Sequence, residues 1–295
     1  MTREPPLFSV IIPTYNRPQQ LSACLESLAR LAYPADRFEV IVVDDGSATP
    51  LEFVTTAFHD RLNITLLTQQ NAGPAAARNT GAAQAKGQFL AFTDDDCTPT
   101  PDWLHKLAAR CAAAPECMIG GRTLNALPTN LYSTASQVIV DIVYAHYNAI
   151  PNAARFFASN NLTLPADRFR AIGGFTPTFT VSEDRELCDR WRQHGYRMIY
   201  APEVQVYHAH WLTFRTFCRQ HLHYGRGAAR FHRVRAQRQS GHLMQELSFH
   251  THLPHVLRQV LSQMRGRRVL SIIGLLMVWQ VANAGGYFWE KMLRK

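Results

Sequence analysis

The chain has 295 residues, of which 46% are apolar and 18% are charged. This composition excludes a chain that is disordered throughout, and the length is sufficient to bury a large core. The net charge of +9 is uneven, because residues 211–295 carry 14 Lys and Arg against two Glu, whereas residues 1–210 are slightly acidic. A basic surface suited to an anionic partner is therefore expected only in the last third.

The first hundred residues predict strands that alternate with helices. A short β-branched apolar run predicts a buried strand at 8–12, and further short runs predict a second buried strand at 38–43 and strands at 64–68 and 89–92. Apolar residues at helical spacing predict helices at 19–30, 51–60 and 75–85. Such alternation predicts an α/β fold with a mostly parallel central sheet flanked by helices.

Polar loops follow three of these predicted strands, at 14–17, 44–47 and 94–96. In open α/β sheets, ligands bind beyond the carboxyl ends of the strands. The order of the elements therefore predicts a binding site made of these loops. After about residue 105 the alternation loosens into a Gly-Gly turn at 173–175, a polar helix at 182–194 and short strands at 197–200 and 204–208.

Asp94 and Asp96 lie two residues apart on the loop after the fourth predicted strand. If no cation of the protein pairs with these carboxylates, a hard divalent ion such as Mn²⁺ or Mg²⁺ is their natural partner. A solvated acidic turn is the alternative. A second predicted strand, 38–43, also ends in acidic residues, Asp44 and Asp45, and this favours a metal site over an acidic turn.

Asp45 and Arg78 suggest recognition of a nucleotide. The Asp45 carboxylate can accept hydrogen bonds from a base or a ribose, although Asp45-Gly46 is also an ideal turn, and both can hold at once. Arg78 stands near the start of an alanine-rich helix and can offer a guanidinium fork to a diphosphate. A surface ion pair is the alternative for Arg78.

Several motifs in the same order resemble the GT-A glycosyltransferases of family 2. They are Pro13-Thr-Tyr-Asn-Arg17, Val42-Val-Asp-Asp-Gly-Ser47, Asn71-x-Gly-Pro-x-Ala-x-Arg-Asn79, Phe92-Thr-Asp-Asp-Asp96, Gly173-Gly-Phe175 and Glu183-Asp184. The resemblance covers residues 7–210. It implies a GT-A type sheet with a helical C-terminal extension.

The resemblance also implies roles for individual residues. The donor side would comprise Pro13, Thr14, Tyr15, Arg17, Asp44, Asp45, Asn71, Gly73, Arg78, Asp94 and Asp95. Mn²⁺ or Mg²⁺ would be held by Asp94, Asp96 and His208, and the acceptor side would comprise Gly173, Gly174, Phe175 and Glu183. For His208, a packed histidine at a strand end is the alternative.

Asp184 would be the catalytic base. Because a helix N-terminus favours a charged carboxylate, we expect Asp184 to be ionised and ready to accept a proton. A capping role of Ser182 or Asp184 is the alternative.

The implied activity is inverting, metal-dependent transfer of a single sugar from a nucleoside-diphosphate sugar to an acceptor hydroxyl, in glycolipid or polysaccharide assembly. The Gln-x-x-Arg-Trp motif of processive members is absent after the base, which favours single transfer. Two alternatives remain at this point. A nucleotidyltransferase would leave Asp184 without a role, and a scaffold protein of the membrane would bind sugar nucleotides without catalysis.

The sequence predicts a catalytic domain at 1–212, with a nucleotide-binding half at about 1–100 and an acceptor half at about 101–212, and a basic helical region at 213–295. Residues 269–289 carry no charge and predict an apolar helix. We expect it to lie on the cytoplasmic leaflet, with a transmembrane helix or internal packing as alternatives. The expected acceptor is lipid-linked or a glycan, and no nucleic acid is expected as a partner. Since no signal peptide is recognised, the expected location is cytoplasmic, peripheral or monotopic on the inner face of the membrane.

Overall fold

The computed structural model describes residues 7–239, Leu257 and 268–293. The described residues fall into two compact units, the first within Met1–Leu124 and Pro151–Ala209 and the second within Asn125–Ile150 and His210–Lys295. Parts of the predicted basic region, at 240–256, 258–267 and 294–295, lie outside the described residues.

The strands are β1 Phe8–Thr14, β2 Phe38–Asp44, β3 Ile64–Thr68, β4 Phe89–Phe92, β5 Cys97–Pro99, β6 Met118–Asn125, β7 Leu162–Pro165 and β8 Met198–His208. The helices are α1 Pro18–Leu28, α2 Glu52–Thr56, α3 Pro74–Gln84, α4 Trp103–Ala113, α5 Leu131–Tyr147, α6 Ala166–Ala171, α7 Glu183–Gln193, α8 Phe214–Gln237 and α9 Arg268–Met292. The four strands predicted first are present, each within two residues of its expected bounds.

Within the described residues, the strands form one sheet in the order β3-β2-β1-β4-β7-β6-β8-β5. Strands β1 to β4 are parallel to one another, whereas β7 is antiparallel to β4 and β6, and β5 is antiparallel to β8. The parallel strand β2 is buried along its whole length, as expected for a strand covered on both faces. The predicted α/β fold, with a mostly parallel sheet flanked by helices, is confirmed.

Two predicted elements have different bounds in the structure. The helix expected at 51–60 is only the five residues of α2, and the two short strands expected at 197–200 and 204–208 form the single strand β8. Pro202 does not end this strand, because proline is compatible with an extended backbone.

Helix α5 belongs to the second unit, although residues 125–150 were expected in the acceptor half. Its buried apolar side chains, such as Ile139 and Ile142, form one cluster with Phe217 of α8 and with Ile272 and Leu276 of α9. The chain therefore divides near residues 125 and 150 as well as near 210, and the sequence-based boundary at 212 describes only the last of these.

Helix α9 packs closely on α8. A Cβ atom added at Gly286 would lie 1.9 Å from the carbonyl oxygen of Leu222, and one added at Gly225 would lie 2.0 Å from that of Asn283. At the end of α9, the buried Glu290 carboxylate accepts hydrogen bonds from Nε of Arg226 at 3.0 Å and of Arg230 at 2.8 Å. One side of α9 is thus fixed to α8 by backbone contact and by charge.

The opposite side of α9 is apolar and exposed. We call Leu270, Met277, Val281, Phe288 and Met292 the apolar stripe; each of these side chains is between 61% and 78% exposed. Their spacing of seven and four residues places them on one face of a helix over a length of about 33 Å. Helix α9 is long and apolar enough to cross a membrane, but part of its surface is covered by the second unit.

Candidate active site

The three polar loops meet at one edge of the sheet. Thr14 and Asp44 are register partners at the ends of the parallel strands β1 and β2, and the Asp45 N–H donates to the Thr14 carbonyl at 2.9 Å. The Thr14 hydroxyl donates to Asp95 at 2.8 Å. The loops after β1, β2 and β4 are therefore joined by direct hydrogen bonds.

Asp45 holds the loop that leads into α3. Its carboxylate accepts hydrogen bonds from the backbone N–H groups of Ala72, at 2.9 Å, and Gly73, at 2.8 Å, and from the Gln69 amide at 2.7 Å. The Asn71 amide donates back to the Asp45 carbonyl at 3.0 Å. Because a carboxylate has about four acceptor positions, Asp45 can shape this loop and still accept a bond from a ligand.

The remaining donor-side residues of β1 and β2 differ in exposure. Thr14 and Asp44 are buried, Pro13 is partly buried, and the Tyr15 ring is about half exposed next to them. The Asp44 carboxylate accepts a hydrogen bond from the Ser47 N–H at 2.9 Å, so it fixes the turn after β2. Tyr15 is thus the member of this group that is most open to a ligand.

Two arginines pair with the acidic loop, which is the segment 94–96 after β4. Arg17 Nη1 lies 3.2 Å from Asp95 and 3.1 Å from Asp96, and Arg78 Nη2 lies 2.6 Å from Asp94. The premise that these carboxylates have no cationic partners in the protein is therefore wrong. The pairing was not visible in the sequence because Arg17 precedes Asp96 by 79 residues.

The environment of Asp95 differs from that of an exposed carboxylate. Burial raises the pKa of Asp95 to about 6, and the negative charges of Asp96 and Asp94 act in the same direction. The nearby Arg17 guanidinium and the Thr14 hydroxyl oppose this increase. Asp95 is therefore best described as an internal group that links β1 to the acidic loop.

Asp96 and His208 fit a divalent cation. Strand pairing puts His208 opposite Cys97, and its Nε2 lies 3.2 Å from Asp96 Oδ1. Asp96, Cys97 and His208 present ligand atoms within 4.8 Å of one another. Burial raises the pKa of the Cys97 thiol well above its ordinary value, so Cys97 stays protonated. A carboxylate beside an imidazole suits Mn²⁺. Asp94, which was also expected to bind the metal, pairs with Arg78 instead and is not a member of this cluster.

Burial lowers the pKa of His208, but its hydrogen bond to Asp96 and the charges of Asp96 and Asp94 outweigh that effect and raise it overall. Protonation of His208 is therefore easier than that of a free imidazole. Since a metal ligand must be neutral imidazole, a cation and a proton would compete for this side chain.

The predicted base, Asp184, lies in the first turn of α7. Its Oδ1 accepts a hydrogen bond from the Arg185 N–H at 2.7 Å. Burial raises the pKa of Asp184 to about 7, with a further contribution from the charge of Glu183, against the effects of this hydrogen bond and of Arg78. The helix terminus was expected to keep this group ionised, and burial acts in the opposite direction. The side chain of Ser182 makes no capping hydrogen bond to α7.

The Gly-Gly-Phe turn is held by residues that the sequence did not assign. The Asn79 side chain accepts from the Phe175 N–H and donates to the Phe175 carbonyl, both at 2.8 Å. Gly174 has a φ of +68°, and a Cβ there would lie 2.6 Å from Asn79 Oδ1. Arg190 pairs with buried Glu186 and donates to the Gly174 carbonyl at 2.6 Å. Glu186 and Arg190 are four residues apart on one helix, and this spacing could have predicted their ion pair from the sequence.

The model of the family described as glycosyl transferase family 2 matches residues 9–182, more than half of the chain. This chain belongs to that family. It is therefore a glycosyltransferase, and family 2 membership disfavours the nucleotidyltransferase and scaffold alternatives.

Curated relatives agree with this membership. Glycosyltransferase AglE of Haloferax volcanii is 29% identical over 207 residues, which cover 69% of this chain and 67% of the relative. Validoxylamine A glucosyltransferase of Streptomyces hygroscopicus is 32% identical over 232 residues, which cover 68% of this chain and 55% of the relative. The chain thus spans little more than half the length of the second relative.

A solved structure shares the fold of the family 2 chain. The mannosyltransferase PcManGT of Pyrobaculum calidifontis, in complex with GDP-Man and Mn²⁺, superposes with a TM-score of 0.72 at 20% identity. The match covers 98% of this chain and 88% of that protein. At this identity the likeness shows the fold, which is GT-A-like.

Proposed function

We propose that this glycosyltransferase moves a single sugar from a nucleoside-diphosphate sugar to an acceptor hydroxyl, with inversion at the anomeric carbon and with a divalent cation. The observation that carries this proposal is the position of Asp184 in the first turn of α7, directly after Glu183, whose own carboxylate is linked through Arg78 to Asp94. A proton acceptor and the acidic loop thus belong to one connected network.

The donor is proposed to bind at the loops after β1, β2 and β4. Tyr15 offers an exposed ring for a base, and Asp45 and the loop of Asn71 and Gly73 offer acceptors and backbone groups beside it. The acidic loop would face the diphosphate and the ribose through Asp94, while the buried Asp95 would hold that loop against β1. The likeness to a mannosyltransferase complexed with GDP-Man supports a nucleotide sugar as the donor class.

In the proposed reaction, Asp184 accepts the proton of the acceptor hydroxyl while that oxygen attacks the anomeric carbon. A carboxyl group whose pKa lies near the working pH is suited to this task. Mn²⁺ or Mg²⁺, held by Asp96 and His208 with Asp94 nearby, would supply positive charge for the leaving nucleoside diphosphate. The Glu183 carboxylate is paired with Arg78, so it is not available to attack the sugar as a second nucleophile. A single displacement at the anomeric carbon is therefore favoured, and this inverts the configuration.

The second unit supports a proposed site of action at a membrane surface. Helix α8 is rich in arginine, and α9 presents the apolar stripe, so the unit offers cationic and apolar contacts to anionic lipid. Because Glu290 is buried and paired with Arg226 and Arg230, we propose that α9 lies along the surface rather than across the bilayer. A lipid-linked or glycan acceptor on the inner face, used in glycolipid or polysaccharide assembly, fits this placement.

The test combines donor screening with removal of the base. We expect thermal-shift measurements with Mn²⁺ and UDP-, GDP- or dTDP-sugars to reveal a donor class that stabilises the chain by mass action. Asp184→Asn should then abolish transfer while binding of that donor stays close to wild type, and EDTA should remove the activity of the wild type. Asp167→Asn, which changes an exposed carboxylate of α6, is the matched control and should transfer normally. Full transfer by Asp184→Asn would refute the assignment of the base.

A further inference from the structure

Arg78 is buried between the acidic loop and the helix that carries the proposed base. Its Nη2 lies 2.6 Å from Asp94 Oδ1 and its Nη1 lies 2.9 Å from Glu183 Oε1. The guanidinium carbon is 5.5 Å from the centre of the Phe175 ring, and the whole residue is 3% exposed. One side chain of α3 thus contacts the acidic loop, the first residue of α7 and the Gly-Gly-Phe turn.

This arrangement does not suit the phosphate contact that the sequence predicted for Arg78. Both terminal nitrogens already donate to carboxylates, and a buried guanidinium cannot leave two carboxylates without leaving charges unpaired. Arg17, by contrast, is about half exposed and pairs with Asp95 and Asp96 at the open side of the acidic loop. Arg17 is therefore the better candidate for contact with the diphosphate.

We propose that Arg78 is a positioning residue, which fixes the first turn of α7 against the acidic loop and so sets where the Asp184 carboxyl group stands. This inference rests on the proposed function, because it assigns Asp184 the role of base. Glu183 directly precedes Asp184, so a shift of Glu183 moves Asp184 with it. The guanidinium fork is needed because its two terminal nitrogens reach two carboxylates at once, which a single ammonium group cannot reproduce.

The neighbouring residue strengthens the argument. Asn79 forms two hydrogen bonds with the backbone of Phe175, and the Phe175 ring packs on Phe92 of β4 at a centroid distance of 5.2 Å. Consecutive residues of α3 therefore hold both acceptor-side segments, Arg78 the start of α7 and Asn79 the glycine turn. The acceptor side is aligned with the donor side through this one turn of helix.

The experiment compares Arg78→Lys, Glu183→Gln and the double variant in the full chain. For each, kcat for transfer is measured at saturating donor, and Kd is measured for UDP and for GDP with Mn²⁺. We expect each single variant to lower kcat on the order of 10²-fold, the size of effect that a misplaced catalytic group produces. The Kd of the nucleoside diphosphate that binds should stay within about threefold of wild type, because the variants leave ground-state donor contacts in place. The double variant should be no slower than the slower single variant, since both break one connection.

Arg170→Lys is the matched control, because Arg170 also binds α3, through the carbonyls of Ala82 and Ala85, but at the end away from the acidic loop. It should change the unfolding temperature without changing kcat. Weakened diphosphate binding in Arg78→Lys with unchanged kcat would restore Arg78 as a phosphate ligand and overturn the inference, as would losses that multiply in the double variant. A wild-type chain that transfers no sugar contradicts the proposed function instead, so the two failures are distinguishable.

Discussion

Asp184 is the residue on which the proposed chemistry depends, and opposing influences act on its carboxyl group. The first turn of α7 and the Arg78 guanidinium favour the charged form, whereas burial and the charge of Glu183 favour the neutral form. Burial is the largest effect, so the pKa rises from 3.8 to about 7. Because the folded state holds this proton more tightly than the unfolded chain, the contribution of Asp184 to stability falls as the pH rises from about 4 to about 7.

Transfer activity should have the opposite dependence on pH. A base must be ionised to accept a proton, and with a pKa of about 7 the ionised fraction increases about tenfold between pH 6 and pH 8. We therefore expect kcat to rise with pH and to level off above pH 8, when it is measured at saturating donor and Mn²⁺. A pH–rate profile of the wild type, with the pH stability of the fold checked separately, measures this.

The control for the pH profile is Asp184→Asn: transfer should stay absent at every pH, and any rate that the variant retains should show no rise centred near pH 7. A wild-type profile that is flat from pH 6 to pH 8, or that rises near pH 4, would contradict the pKa that burial gives to Asp184. In that case the carboxyl group would be solvated in the active protein.

At the scale of residues, the sequence singled out candidate carboxylates but not their partners. Asp94, Asp96 and Asp184 could be named as candidates because short local motifs carry them. The pairing of Arg78 with Glu183, which are 105 residues apart, depends on how α3 and α7 pack, and no local pattern encodes it. For the same reason the sequence treated Arg78 as a ligand of the donor, whereas the structure shows it inside the protein.

At the scale of elements, the contact between α8 and α9 depends on glycine. Gly286 faces the Leu222 carbonyl so closely that even one methyl group does not fit, whereas a Cβ at neighbouring Gly285 would meet no atom within 4 Å. We expect Gly286→Ala to destabilise the second unit by ~1–3 kcal/mol through overpacking. Gly285→Ala should instead stabilise it by up to ~1 kcal/mol, because alanine is the better helix former.

Thermal and denaturant unfolding of the two glycine variants, followed by circular dichroism, measure these effects. The pair is matched, since both changes add the same methyl group one residue apart on α9. Equal effects of the two variants would show that α9 does not pack on α8 through Gly286. Exposure of the buried cluster around Phe217 in Gly286→Ala, detected by dye binding, would support the packing.

The sequence predicted elements of the sheet better than the grouping of the helices. The parallel strands β1 and β2 are short apolar runs rich in Val and Ile, and such a pattern fits few other structures. Helix α5 shows a helical period too, but the period does not say which surface covers its apolar face. Only the contacts with Phe217 and Ile272 show that α5 belongs with the C-terminal helices.

At the scale of the whole molecule, charge and exposed apolar area coincide in the second unit. Residues 211–295 have a net charge of +12. The apolar stripe of α9 places five large exposed side chains in the same unit. Both features strengthen the binding of an interfacial helix to lipid, because burial of apolar side chains adds to the attraction between basic residues and anionic headgroups. A purely internal α9 would have no reason to keep these side chains exposed along one face.

We therefore expect the chain to co-sediment with vesicles of phosphatidylglycerol and phosphatidylcholine, and less with phosphatidylcholine alone. Met277→Glu and Val281→Glu, in the middle of the apolar stripe, should each weaken binding about tenfold, since a charge replaces buried apolar surface. Phe53→Glu is the matched control, because Phe53 is equally exposed but lies on α2 of the first unit, and it should bind like wild type.

Substitutions test the stripe more cleanly than deletion of α9, which would uncover the buried cluster of Ile142 and Phe217 and perturb the whole unit. High salt should weaken binding to the anionic vesicles, because screening removes the contribution of the arginines but not that of the stripe. Three outcomes are then informative. Binding lost in the stripe variants supports a surface helix, and wild-type binding by those variants refutes the stripe as the lipid contact. Resistance of the wild type to extraction by alkaline carbonate would show that α9 spans the bilayer, which would require Glu290 to leave Arg226 and Arg230.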